Sequence, residues 1–451
     1  MNISKLILFM LLLVLSLMIC DANAQFFAKC RTCSEGELKD NIRAHSEHTF
    51  RLNEKFLNGY YRQNPLPSDF TAANLSDVQN YLNKLQTGKG AVLYYAHDER
   101  TNQLCTWLIS ADRIDSHKVG LNKEVLQSQQ PRLMDVLGVT GAARMRAPRK
   151  RGVRQLYPVS HLSQEEKKEA LQETSELFFP RPIAQQLIDG RIDTLIIVPI
   201  SAVGTLPFGA LHVANKSLVD ILSVVIAPGF SNFIEEPKTT RRNFANPIIV
   251  GDPQYPEDPD WDLPQLPGAR KEAEEVAQFL QTSALIGPEA SKKAVKEKLQ
   301  TRSDTGLIFL ATHGIADSDN PLDASLLWLS DGRWPARELQ NLPLRESKPL
   351  VVMSACQTGL GKNFDVGTIG MARAWHRAGA SNVVMSLWSV DDAATRLLMT
   401  DFIKLVSKMP PDKALQEAMR RTRKELPEPA LWAGFSVFGL PEFYGSISEG
   451  K

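Results

Sequence analysis

A surplus of either charge is missing from this chain: 52 lysines and arginines stand against 51 aspartates and glutamates, for a net charge of +1. Proteins that grip nucleic acid or an acidic surface do so with a basic excess, so no nucleic-acid partner is expected. Apolar runs are scarce as well. Beyond residues 6–19 no segment is long and apolar enough to span a bilayer, which argues against a stable membrane span. Cysteine is sparse, five in 451 residues, too few for a disulfide-built scaffold. Internal repeats and low-complexity tracts are absent, and so is the Gly-x-Ser-x-Gly elbow that a general α/β acyl hydrolase would carry. Outside Cys30 and Cys33 no His, Cys or Asp cluster has metal-ligand spacing. Neither metal nor cofactor is expected.

What is present begins with an address. A short polar start with one cation, an apolar stretch over residues 6–19 and the small residues Ala22-Asn23-Ala24 read as a secretory signal peptide over 1–24. The mature chain is expected to be exported, to a periplasm or beyond the cell. Cleavage removes Cys20 and leaves Cys30, Cys33, Cys105 and Cys356. Cys30 and Cys33 are open to two readings, a local pair or a metal site shared with ligands from elsewhere. Cys105, inside Leu104-Cys105-Thr106-Trp107-Leu108-Ile109, reads as a buried strand residue, and Cys356 is left without a partner.

Residues 25–87 are polar and partly helical, with helix-like patterns over 38–56 and 75–85. A hairpin follows, residues 91–95 and 105–109 joined by Asp98-Glu99-Arg100-Thr101-Asn102. The stretch 144–154 holds six cations in eleven residues; it reads either as a solvated loop or as a protease-accessible site. From Glu165 short apolar runs alternate with helical patterns, the signature of buried parallel strands and their crossover helices.

Two of those runs stop at a reactive side chain. Leu307-Ile308-Phe309-Leu310-Ala311-Thr312 ends in His313-Gly314, and Leu350-Val351-Val352-Met353-Ser354-Ala355 ends in Cys356-Gln357. In open α/β sheets, sites form beyond the carboxyl ends of strands. A thiol attacks only as thiolate, so Cys356 needs a base, and His313 can take and return the proton. The backbone N–H groups of Gly314 and Cys356 are candidates for an oxyanion hole. Small Ser354 leaves room for a bound backbone, and Thr358-Gly359-Leu360-Gly361 makes the turn that exposes the thiol.

These two motifs, with Ala378-Gly379-Ala380, Ser386-Leu387-Trp388-Ser389-Val390-Asp391-Asp392-Ala393-Ala394-Thr395, Trp432-Ala433-Gly434-Phe435 and the earlier Leu206-Pro207-Phe208-Gly209-Ala210-Leu211-His212, resemble the CHAT-domain family of caspase-like peptidases, relatives of separases. The resemblance covers roughly 88–445, divided into 88–240 and a catalytic half over 241–445. It implies an α/β fold: a caspase-like sandwich with a mostly parallel central sheet flanked by helices, here with a small N-terminal helical and hairpin region. It also implies a cysteine endopeptidase working through a thioester on Cys356, with a protein or peptide as substrate. In separases an acidic residue in a similar Leu-Trp-x-Val-x-Asp segment faces the arginine before the scissile bond, which makes Asp391 and Asp392 candidates for binding a basic side chain. Both also stand where a helix beginning near Ala393 needs a cap. A basic preference would make the 144–154 stretch a candidate self-cleavage site. Many relatives carry helical repeats that receive an activating signal; none is visible here, so the regulatory partner is not named by the sequence. A catalytically silent scaffold of the same fold is the competing reading.

Overall fold

Eleven strands hydrogen-bond into one sheet. In chain order they are Gly90–Asp98 (β1), Gln103–Ile109 (β2), Ile114–Gly120 (β3), Thr194–Val198 (β4), Ser223–Ile226 (β5), Ile248–Pro253 (β6), Leu285–Gly287 (β7), Leu307–Ala311 (β8), Leu350–Ser354 (β9), Asn382–Ser386 (β10) and Phe435–Gly439 (β11). Their spatial order is β3-β2-β1-β4-β5-β11-β10-β9-β8-β6-β7. The computed structural model describes residues 32–58, 66–85, 89–139, 162–235, 244 and 246–442. The signal peptide read over 1–24, Cys20, Cys30 and the basic stretch 144–154 lie outside the described residues.

Neighbouring strands run parallel except at β1–β2, β2–β3 and β10–β11. The fold is therefore the mixed α/β one with a large, mostly parallel sheet flanked by helices. The antiparallel seam at β10–β11 divides it into two sides, β1, β4, β5 and β11 running one way and β6, β7, β8, β9 and β10 the other, so that β6, β8, β9 and β10 all present their carboxyl ends on one edge. Strands β4, β8, β9 and β10 are buried at every residue, as sheets covered on both faces require. No helix among the described residues is long and apolar enough to cross a membrane.

The N-terminal region is integral to this sheet. Helices Glu35–Asn58 (α1) and Leu75–Lys84 (α2) send Leu38, Ile42, Val78 and Leu82 into the core. Three later helices frame the carboxyl edge of β6, β8, β9 and β10. Pro267–Phe279 (α3) packs on β6, Met371–Ala378 (α4) on β10, and Asp392–Val406 (α5) against α3.

Cys33 is joined to Cys105 on β2 by a disulfide spanning 72 residues, and Trp107 Nε1 donates to Cys33 O at 3.1 Å. This corrects both readings of Cys33, which neither pairs locally nor holds a metal. A partner so distant in sequence becomes available only once β2 is in place beside the segment entering α1.

His45, on the inner face of α1, is fully buried among Tyr94 and Phe230, with ring centroids 6.0 and 5.2 Å away. Its Nε2 donates to Pro199 O at 3.5 Å, and Thr49 Oγ1 donates to Nδ1 at 3.3 Å. Burial drives its pKa down to about 3, so the folded imidazole stays neutral while the unfolded one titrates near 6.5. The unfolded state thus binds the extra proton between those values, and the stability held above pH 6.5 drains away as pH falls. Taking the protein from pH 7 to pH 5 should cost about 2 kcal/mol through this group. Denaturant titrations of wild type and His45→Gln at both pH values check this; an equal pH dependence in the two proteins would refute it.

Candidate active site

The parallel register of β8 and β9 pairs Ala311 with Ser354. His313 and Cys356 each stand two residues past that pair, at adjacent strand ends on the shared carboxyl edge. Gly314 fixes how closely the two chains approach. A Cβ there would lie 3.0 Å from the Cys356 carbonyl oxygen and 3.1 Å from the Ala355 side chain, so a larger residue would push the loops apart. Gly314 continues into a short strand, Gly314–Ile315, that pairs with Leu326–Leu329. The ladder there uses His313 O, which accepts from Trp328 N at 3.1 Å. In that alternation Gly314 faces Leu327 as a non-hydrogen-bonded pair, so its N–H turns away from the ladder.

The turn carrying Cys356 is held from β10. Gly359 N donates to Ser386 O at 2.7 Å, Ser386 N donates to Thr358 Oγ1 at 2.9 Å, and Ser386 Oγ donates to Ala355 O. Gln357 takes a left-handed φ of 57° to make the bend. Among the described residues Cys356 is the free cysteine, half-buried at the sheet edge. Burial pushes its thiol above the ordinary value and Asp392 adds to that; a hydrogen bond from Ser389 and the cysteine's own amide oppose it.

His313 is gripped by a backbone oxygen rather than by a side chain. Its Nε2 lies 2.8 Å from Pro264 O; a carbonyl only accepts, so Nε2 carries the proton and Nδ1 keeps its lone pair. The loop bearing Pro264 is pinned by Asp252 at the end of β6, which accepts from Leu266 N at 2.6 Å and from Arg270 Nε at 3.1 Å. The Tyr255 ring packs on the imidazole with centroids 4.8 Å apart, and its hydroxyl contacts Thr312 Oγ1 at 3.2 Å. Burial lowers the His313 pKa below the ordinary imidazole value, against Pro264 O and Asp252, which raise it. The resting pair is a neutral thiol and a neutral imidazole, and no hydrogen bond joins them.

The two aspartates divide their tasks. Asp391 caps α5, accepting from Ala393 N at 2.9 Å and Ala394 N at 3.1 Å. Asp392 turns instead toward the N-terminus of α3. A Cβ on Gly268 would fall 1.7 Å from Asp392 Oδ2, and the Gly268 amide hydrogen-bonds the carboxylate. Its carboxyl is raised above the ordinary range, first by burial and then by Asp391. One turn along α3 lies Glu272, 1% exposed, whose carboxyl burial pushes up to about 8. Ser354 is not open to the edge: it is buried beside Glu272, and neither Ser354 Oγ nor Glu272 Oε1 makes a hydrogen bond of ordinary geometry. Arg270 and Arg396 nearby are already engaged, with Asp252 and Glu275. The rim beside the thiol is thus short of positive charge.

Sequence reasoning gave no role to Pro264, Tyr255, Asp252, Glu272 or Ser386, although Ser386 opens one of the motifs that carry the resemblance. Asp252 is the acidic residue near the carboxyl end of β6, in Gly251-Asp252-Pro253; a backbone carbonyl leaves no such trace in a sequence. No group of three or more His, Cys, Asp or Glu among the described residues could hold a metal ion.

Comparison with known proteins shows the family and the fold. A model of the CHAT domain matches residues 168–440, more than half of the chain. Tetratricopeptide repeat protein 28 is 24% identical in Mus musculus and 25% in Homo sapiens, over 300 residues and 55% of this chain. The chain spans only 12% of the length of each. Among solved structures, the Saccharomyces cerevisiae separase–securin complex superposes with a TM-score of 0.56 at 10% identity, covering 93% of this chain and 35% of that one. By the match over its sheet-forming and strand-end segments, the chain belongs to the CHAT domain family.

Proposed function

We propose that this protein is an exported cysteine endopeptidase in which His313 and Cys356 form the catalytic dyad. The observation that carries the proposal is the pair of adjacent strand ends, with Pro264 O fixing His313 as the tautomer whose Nδ1 is free to accept a proton. On substrate binding Nδ1 takes the Cys356 proton and the thiolate attacks the peptide carbonyl. The N–H groups of Gly314 and Cys356 hold the resulting oxyanion. Collapse breaks the C–N bond, the imidazolium returns its proton to the leaving amine, and a thioester remains. Water, deprotonated by His313, then attacks the thioester, releasing the acid and restoring the thiol. Because both groups rest neutral, the thiolate forms in the encounter with substrate rather than before it. A reactive-thiol probe on the purified protein, with Cys356→Ala beside it, tests the reading; equal labelling of the two would sink it.

We further propose that a basic side chain before the scissile bond binds against Asp392. The half-buried Asp392 supports this, since no arginine among the described residues forms an ion pair with it and a guanidinium paired with a half-buried carboxylate is both strong and directional. In a peptide library Asp392→Asn should lose about 10²-fold in kcat/KM for arginine over an uncharged residue. Asp391→Ala should leave the preference unchanged and lower stability by about 1 kcal/mol through the lost cap. A preference equal in wild type and Asp392→Asn would assign specificity elsewhere.

The second reading, a silent binding module, draws on the raised thiol pKa and on the lack of a thiol–imidazole hydrogen bond. A wild-type protein that neither labels nor cleaves would favour it.

A further inference from the structure

Arg373 is a buried charge without a counter-charge. It sits on α4, only 8% exposed. Its Nε donates to Thr368 O at 3.1 Å, and the guanidinium lies 5.7 Å from the Phe438 ring centre. Nη2 has no hydrogen-bond partner. Burial alone lowers its basicity, to about 10, so it remains a cation at neutral pH, and no described carboxylate acts on it. The ionisable group it does influence, His45, is neutral in the folded protein. An ion held this way in a low-dielectric interior is strongly unfavourable unless something neutralises it.

Beside the guanidinium lies a cavity of about 20 Å³, walled by Pro199, Ile226, Leu360, Met385 and Phe438. Gly204, Gly359, Gly370, Ala372 and Thr368 complete it; Thr368 already spends its hydroxyl hydrogen on Asn363 and its carbonyl on Arg373, and Gly359 belongs to the turn that follows Cys356. The space suits a body of about one water molecule and is too small for a carboxylate side chain. Its walls are mainly apolar, whereas a trapped water needs two to four polar partners. A small anion would take from the guanidinium both the opposite charge and the unused Nη2 donor.

We propose that this cavity is a binding site for one halide-sized monovalent anion, chloride in ordinary salt, which neutralises Arg373 and braces the turn behind Cys356. The site is separate from the peptidase reading and stands whether or not the dyad is active.

Crystals of the full chain grown with bromide in place of chloride should show one anomalous peak in this cavity, against Arg373 Nη2. In solution, replacing gluconate with chloride at constant ionic strength should raise the wild-type Tm by about 1–2 °C with saturation. Arg373→Met keeps the apolar stem and should show no such rise. Bromide confined to the surface, or a chloride-dependent rise of equal size in Arg373→Met, would overturn the proposal. Should Arg373→Met not fold, the bromide peak in wild type decides the matter by its presence or absence.

Discussion

Alanine at position 356 is expected to abolish peptide hydrolysis, lowering kcat/KM by about 10⁴–10⁶-fold, the scale seen when a covalent nucleophile is removed. The substitution removes a single sulfur atom from a half-buried residue, so Tm should stay close to that of wild type. His313→Ala should lose about 10²–10⁴-fold, the usual worth of a general base. Because thiol and imidazole act as one unit, the double variant should be scarcely worse than Cys356→Ala alone. Progress curves on a fluorogenic peptide measure all three. Residual cleavage by Cys356→Ala above a tenth of wild type would place the nucleophile elsewhere. Multiplicative losses in the double variant would mean that the two side chains work independently.

The second large effect concerns Cys33 and Cys105. Their bridge closes a loop of 72 residues, and removing it by Cys33→Ala with Cys105→Ala should cost about 4 kcal/mol on the chain-entropy account. Guanidinium unfolding of the two proteins gives the difference directly. If instead Cys30→Ala carried the loss and Cys105→Ala none, a local bridge would be the true one. Both sulfurs are buried, at 5% and 0% exposure. Mild reductant that keeps Cys356 as a thiol should therefore leave this bridge intact, and activity assays under such conditions report on the folded protein.

What could be read in advance came from burial on both faces. Leu307–Ala311 and Leu350–Ser354 are continuous apolar runs because every residue is covered, and such runs announce themselves and the residue that ends them. Strand β3 escaped notice for the opposite reason. Ile-Asp-Ser-His-Lys-Val-Gly is an edge strand, half-exposed along its length, and its polar residues resemble a loop. Strand β11 was masked by its position: it enters the middle of the sheet from the chain's far end, against β10, which no local pattern announces. The polar composition of α1 concealed that His45 faces inward, because one buried imidazole on a mostly solvated helix looks like any other polar residue. At the site, side chains with chemical identity were legible and backbone groups were not. Pro264 O does as much to orient His313 as any side chain, and only the folded loop brings it there.

The recognised family segment and the cooperative unit do not coincide. Strands β1, β2 and β3 all precede residue 168, yet β1 is laddered to β4 from Gly90 opposite Thr194 to Tyr94 opposite Val198. A fragment trimmed to the family boundary would strip that neighbour away. It would leave Thr194-Leu195-Ile196-Ile197-Val198 as a bare apolar border with unpaired amides and carbonyls, the kind of surface on which chains stack into aggregates.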